Sequence, residues 1–497
     1  MKYLILILNV LLITSCKSPS DVLQEEITDA IKTDKQITAK SVTAFKNFIL
    51  NNKEEFNDYQ PDLIINDAVN DKVLLSLIKK NELYIKVSRK EEIKVALTGK
   101  ETIIGAIIPK LYLESSGSMF FYDKPSGRGQ FKTVMTSLLN NFDVISPAAN
   151  KIYIVNDKVY PIQKTFKSLV ESNNIFNDTR GIGNSTFTDF DLIFRTILKD
   201  IHEGEISIMF SDLIYSTPNM RGKIDEKILI EAQQLTENIF HHYSQNYSVL
   251  ILKFNGDYIG NYYPHNAKVF MYKKTTRPYY VSIFAKNATM KLFLEDEKYK
   301  VLRNWKNYTG FENFHLFSNN IIFFKPFYTI LLHDRENKGN LEQDDDEIVS
   351  KSKVVKTLQN VRVDSDSKKL TINVLVDLSK LYLPNEIKEN IKNYEIECTQ
   401  PFVLDKITPI KHTNGTHKFT LSSSRNVGGK RELYLKFKRN FPPKWIEESN
   451  TIHDQSDKIP NFEHTTYGIK NMLGGIDKAY NPNQEEYFYK ITLKFNN

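Results

Sequence analysis

The chain has 497 residues, room for two to four domains. Lysine and arginine exceed aspartate and glutamate by 67 − 60 = 7 without forming a basic block, which argues against nucleic acid as a partner. There are two cysteines, and no Cys/His spacing fits a zinc site.

Met1-Lys2 is a short basic start. Tyr3 to Leu12 is an apolar run broken only by Asn9, and Ile13-Thr14-Ser15-Cys16 ends it with small residues. The run is too short to span a bilayer and has the proportions of a signal h-region. Its ending resembles a bacterial lipobox, which implies that residues 1–16 are a signal peptide and that Cys16 carries the lipid. Lys17, where an Asp would retain the protein at the inner membrane, implies by the same resemblance an outer-membrane lipoprotein. The membrane is then a partner through the lipid alone. Cys398 has no cysteine left to pair with, and the alternation Tyr394–Cys398 reads as a strand holding a buried structural thiol.

Residues 17–105 open as a charged tether. A small region follows with patchy helical spacing, as at Val42, Phe45, Phe48 and Ile49. From 106 the pattern alternates. Strands are expected at Lys110–Leu113, Lys151–Val155, Glu205–Phe210, Val249–Phe254 and Tyr279–Phe284. Helices are expected at Gln130–Phe142, from Phe190 to Ile201 (capped by Thr188 or Asp189) and from Ile228 to Phe240. Short continuous apolar strands alternating with helices imply an α/β fold with a doubly wound, mainly parallel sheet, which binds ligands beyond the carboxyl ends of its strands. Residues 286–335 read as an aromatic-rich extension of this domain. Asp344-Asp345-Asp346-Glu347 marks an acidic linker over 336–353 and lacks the glycine and spacing of a calcium loop. Residues 354–497 turn to period two, as at Leu370–Asp377, Lys418–Leu421 and Glu432–Phe437. This implies a C-terminal antiparallel β-sandwich-like domain, closed by a helix over Tyr467–Tyr480 and a strand over Tyr487–Phe495.

The first strand runs into Glu114-Ser115-Ser116-Gly117-Ser118-Met119. This resembles the first metal loop of a von Willebrand factor A domain, Asp-x-Ser-Gly-Ser-Met, with Glu114 in place of the Asp. Two further loops of the family have counterparts in order. Asn184-Ser185-Thr186-Phe187-Thr188-Asp189 resembles the Gly-Gly-Thr-Asp that precedes a helix, with Thr188 the better match and Thr186 the reserve. Met209-Phe210-Ser211-Asp212 resembles the strand ending in Thr-Asp-Gly, with Leu213 in place of the Gly. The resemblance covers residues 106–285. It implies a metal site at Glu114, Ser116, Ser118, Thr188 and Asp212, with the all-oxygen donors that suit Mg²⁺ or Mn²⁺. It also implies a protein partner whose carboxylate completes the coordination. Glu114 is one methylene longer than Asp, so its carboxylate either reaches the metal directly or displaces a water.

Other signals carry less. Gly127-Arg128-Gly129-Gln130-Phe131-Lys132-Thr133 lacks the Gly that a phosphate loop needs before its Lys. His241-His242 ends a helix, Ser118 lacks a Gly-x-Ser-x-Gly setting, and Asp454 and Asp457 read as surface charge. The function expected is a lipid-anchored binding protein of the bacterial envelope, without enzymatic activity. A metal-free scaffold of an envelope assembly is the first alternative. A metal-dependent hydrolase is the second, and no motif supplies its base.

Overall fold

The computed structural model describes residues 18–34, 36–60, 62–65, 68–88, 95, 107–123, 129–145, 151–218, 220, 222–265, 267–318, 326–349 and 354–497. Residues 1–17, with Cys16, and Gly127 and Arg128 lie outside these. Among the described residues no helix is long and apolar enough to cross a membrane. The chain divides into two compact units, 1–103 and 104–497.

The first unit has helices at Pro19–Asp34, Ala39–Asn51, Lys53–Tyr59, Asp71–Lys79 and Glu82–Ser88, and a small antiparallel pair, Ile64–Ile65 with Ala68–Val69. Val42, Phe45 and Ile49 lie on one face of the second helix and are buried against Leu23, Ile27 and Ile31 of the first. Thr38 caps the second helix by accepting from the Ser41 N–H.

The second unit is built on a seven-stranded sheet: β1 Ile108–Glu114, β2 Lys151–Val155, β3 Val159–Ile162, β4 Glu205–Ser211, β5 Tyr247–Asp257, β6 Thr276–Lys286 and β7 Phe311–Phe317. The strand order is β7-β5-β6-β4-β1-β2-β3. The centre, β4-β1-β2, is parallel. β3, β6 and β7 run antiparallel to their neighbours. The sheet is therefore mixed, and "mainly parallel" describes only its centre. The reason is that β6 returns from β5 by a hairpin and slots between β5 and β4. Sequence reading missed β3 and β7, which are short or interrupted by polar residues.

Both faces of the sheet are covered, which is why its strands read as unbroken apolar runs. Leu111, Leu113, Ile206, Ile208 and Phe210 enter one core, whereas Tyr112, Met209, Ile251 and Phe284 enter the other. Helix α1 (Gln130–Ile145) buries Phe131, Met135 and Leu138 on the first face. On the second, α2 (Phe190–Asp200) and α3 (Asp225–His241) bury Ile193, Ile197, Ile228 and Ile239.

The C-terminal strands form two sheets. One is ordered Tyr328–Ile330, Leu370–Val376, Gly415–Ser423, Val403–His412. The other is ordered Asn340–Gln343, Thr357–Arg362, Tyr487–Asn496, Lys430–Lys438, Tyr394–Glu397. All pairs are antiparallel except Thr357–Arg362 with Tyr487–Asn496. Three expectations are corrected here. The described part of the expected linker, 336–349, is not free: Asn340–Gln343 pairs with Thr357–Arg362, Asp345–Val349 is a helical turn, and Glu347 accepts from the Lys356 and Thr357 N–H groups. The aromatic extension to 335 does not all belong to the α/β part, because Tyr328–Ile330 pairs with Leu370–Val376. Cys398 is half-buried rather than buried.

The strands of both C-terminal sheets share one continuous core with the seven-stranded sheet. Within residues 444–480, Trp445, Ile446 and 467–480 cover the sheet's second face, whereas Phe462 packs in the first core. Helix α4 (Ile469–Tyr480) buries Ile469, Met472, Leu473 and Ile476 beside α3. Gly475 lets the helices close, since a Cβ there would strike the Gln233 carbonyl and the Thr236 hydroxyl.

Candidate functional site

β1 and β4 are parallel neighbours, so their carboxyl ends lie side by side. That register brings Glu114 and Asp212 together, both 1% exposed. The second loop reaches the same place. Asp189 caps α2 by accepting from Leu192 N at 3.1 Å, and Asp189 N donates to the Asn156 carbonyl beyond β2 at 2.9 Å. These bonds fix Thr188, which is 1% exposed, against β1. Thr186 turns outward, its hydroxyl donating to the Asn184 side chain at 2.7 Å.

Thr188 Oγ1 donates to Glu114 Oε1 at 2.5 Å. Ser211 Oγ donates to Glu114 Oε2. Ser116 Oγ lies 3.1 Å from Ser118 Oγ, and Gly117 N ties the first loop to the second through the Ser185 carbonyl at 2.9 Å. Asp212 Oδ1 accepts from Ile214 N at 3.2 Å, whereas its Oδ2 is buried without a hydrogen-bond partner. Leu213 adopts φ 52° where the family pattern has Gly, with its N–H on Ser211 Oγ at 2.8 Å. The loop thus keeps a left-handed residue without the glycine that makes this conformation easy.

Two buried carboxylates this close cannot both be charged without compensation. Burial and then the charge of Asp212 push the Glu114 carboxyl up to about 8, against the hydroxyls of Ser211, Thr188 and Ser116. Burial also raises Asp212, opposed by Ser118 and by the Arg277 guanidinium. Near neutral pH the pair therefore shares a proton. A divalent cation would supply the same compensation and release that proton. The orphaned Asp212 Oδ2 and the hydroxyls around it fit such an ion, and every donor is a hard oxygen. Among the described residues no group of three or more His, Cys, Asp and Glu is arranged to hold a metal. A site here would rest on two carboxylates and hydroxyls.

All five expected residues fall at this end of the sheet, and sequence reading missed two participants. Ser211 stands in the quoted strand ending, and its position beside Asp212 was the available signal. Arg277 is 1% exposed and makes no hydrogen bond through its guanidinium, which lies 4.4 Å from the Tyr262 ring centroid and 5.3–5.5 Å from those of Tyr258, Tyr272 and Phe462. A lone arginine before an apolar strand gave little warning of this. Asp454, expected at the surface, is buried and accepts from His265 N at 3.2 Å. The fold of 444–480 against the sheet removes it from solvent.

Comparison with protein-family models, curated proteins and solved structures finds no match to this chain.

Proposed function

We propose that the chain is a lipid-anchored protein of the bacterial envelope, carried by Cys16 in the outer membrane. In this reading its seven-stranded sheet belongs to a von Willebrand factor A domain that binds a protein partner through Mg²⁺ or Mn²⁺. The observation that carries the reading is the buried, unpartnered Asp212 Oδ2 beside a second buried carboxyl, with Ser116, Ser118 and Thr188 around them. Ser116, Ser118, Thr188 and Asp212 would hold the ion, and Glu114 would join them directly once it gives up its proton. The bound ion would offer a Lewis-acidic position to a partner's carboxylate.

The metal-free scaffold is favoured by one feature. Both oxygens of Glu114 already accept hydroxyls, so part of the site satisfies itself. Calorimetry of Mg²⁺ and Mn²⁺ on the full chain in detergent decides between the two. The metal reading expects saturable binding that strengthens from pH 6.5 to 8.5 as Glu114 ionises, and that is lost in Asp212→Ala and Asp212→Asn. Absence of binding at both pH values would leave the scaffold. Loss of partner binding in EDTA then tests the adhesive role.

A further inference from the structure

The hairpin between β5 and β6 lies over the first loop of the candidate site. Tyr258 N donates to the Thr275 carbonyl at 2.9 Å, and Asn261–Tyr262 pairs with Phe270–Met271. One side of this strap, Tyr258, Tyr262 and Tyr272, closes on Arg277. Gly260 packs on the Phe121 ring, and a Cβ at Gly117 would sit 3.5 Å from the ring of Tyr263. Tyr263 therefore covers Gly117, between the two loop serines.

Two residues beyond Tyr263, His265 is inserted between carboxylates from two other elements. Its Nε2 is 2.9 Å from Asp225 Oδ1, at the first residue of α3, and its Nδ1 is 3.3 Å from Asp454 Oδ1 in the C-terminal extension. The ring stacks on Tyr467 at 5.0 Å, and Tyr467 OH donates to Asp225 Oδ1 at 2.8 Å. His453 Nδ1 approaches the far oxygen of Asp225 at 3.8 Å. Tyr262 and, behind it, Arg277 complete the polar groups on the strap's own side. Burial raises the Asp454 carboxyl, and His265 opposes that rise.

Neither ring nitrogen of His265 nor Asp454 Oδ1 makes an aligned hydrogen bond. The contacts are at ion-pair distance, so their strength is Coulombic and depends on the imidazolium charge. A neutral imidazole also carries one N–H for two facing carboxylates, whereas the protonated ring carries two. We propose that His265 is a protonation-dependent clasp that holds the strap, residues 258–265 and 267–275, over the first loop of the site. The strap is tight when His265 is charged and loosens when the ring loses its proton. This goes beyond the metal reading and stands whether or not the site takes an ion.

Hydrogen exchange on the full chain in detergent, at pH 6 and pH 8 and corrected for intrinsic rates, tests it. Strand Leu370–Val376 is the internal reference. Wild-type strap amides should be protected about threefold or more better at pH 6 than at pH 8, with the reference unchanged. His265→Asn should exchange fast at both values, and His265→Lys, charged at both, should be slow at both. Equal strap protection at the two pH values in wild type would overturn the proposal, as would retained pH dependence in His265→Asn. Should His265→Asn also unprotect the reference strand, wild type and His265→Lys alone decide the matter: a pH-dependent strap in the lysine variant refutes the clasp.

Discussion

Glu114→Gln isolates the electrostatics of the candidate site. In the unfolded chain this carboxyl ionises near 4.5, and in the fold it holds its proton to about 8. Between these values the unfolded state binds fewer protons, so stability falls as pH rises through the window and the loss is complete above its upper end. At about 1.4 kcal/mol for each pH unit, ionising Glu114 inside the fold costs roughly 5 kcal/mol. Glutamine cannot ionise. Its amide replaces one acceptor oxygen, so the hydroxyl of Thr188 or Ser211 must turn to accept, at about 1 kcal/mol. The variant should therefore be slightly less stable than wild type at pH 5 and roughly 4 kcal/mol more stable at pH 8.5–9 in EDTA. Unit 104–497 has 497 − 103 = 394 residues. At about 2 cal/mol/K per residue its unfolding entropy is about 0.8 kcal/mol/K, so the expected gain in Tm is about 5 °C. The assay is thermal and urea denaturation of both proteins from pH 5 to 9. Only their difference matters, because it cancels the other buried acids that titrate alongside. A difference that stays constant with pH would refute the reasoning and mean that Glu114 is ionised in the fold throughout.

The other predictions use the same physics. Leu213→Gly relieves a left-handed residue (φ 52°), worth about 1 kcal/mol, but removes a side chain only 2% exposed, worth about 2–4 kcal/mol; urea titration should show net destabilisation by about 1–3 kcal/mol. Gly475→Val would force α4 off α3 and should destabilise the chain by at least about 2 kcal/mol, with hydrogen exchange rising first in 469–480. His315 is pushed down to about 3 by burial and by Arg439, so it is neutral in the fold and its stabilising effect is lost as pH falls from about 6.5 toward that value. His315→Phe, beside Phe317 and Phe441, should spare the protein about 3 kcal/mol of that acid loss at pH 4, read by denaturation against wild type.

Much of the architecture could be read from the sequence because it is local. The period of apolar residues placed β1, β2, β4 and the helices over 130–145, 190–200 and 225–241 within a few residues, and of the two caps the sequence offered, Thr188 and Asp189, the structure uses Asp189. The three loops were legible because Glu114, Thr188 and Asp212 each sit where a strand ends or a helix begins. Tertiary structure decided what distance in the chain conceals. The antiparallel return of β6 makes the sheet mixed, and no period reports strand direction. The stretch 336–353 has the polarity of a linker because its acids are charged, yet Glu347 bonds to the Thr357 main chain and Asp344 to the Asn496 side chain, partners that arrive only on folding. Asp454 became buried, and His265 acquired it as a second carboxylate beside Asp225 of α3, only because residues 444–480 fold back against the seven-stranded sheet. The sequence determined which groups carry charge and which elements present them. The fold decided which of those charges must share one dry space, and so which of them hold a proton.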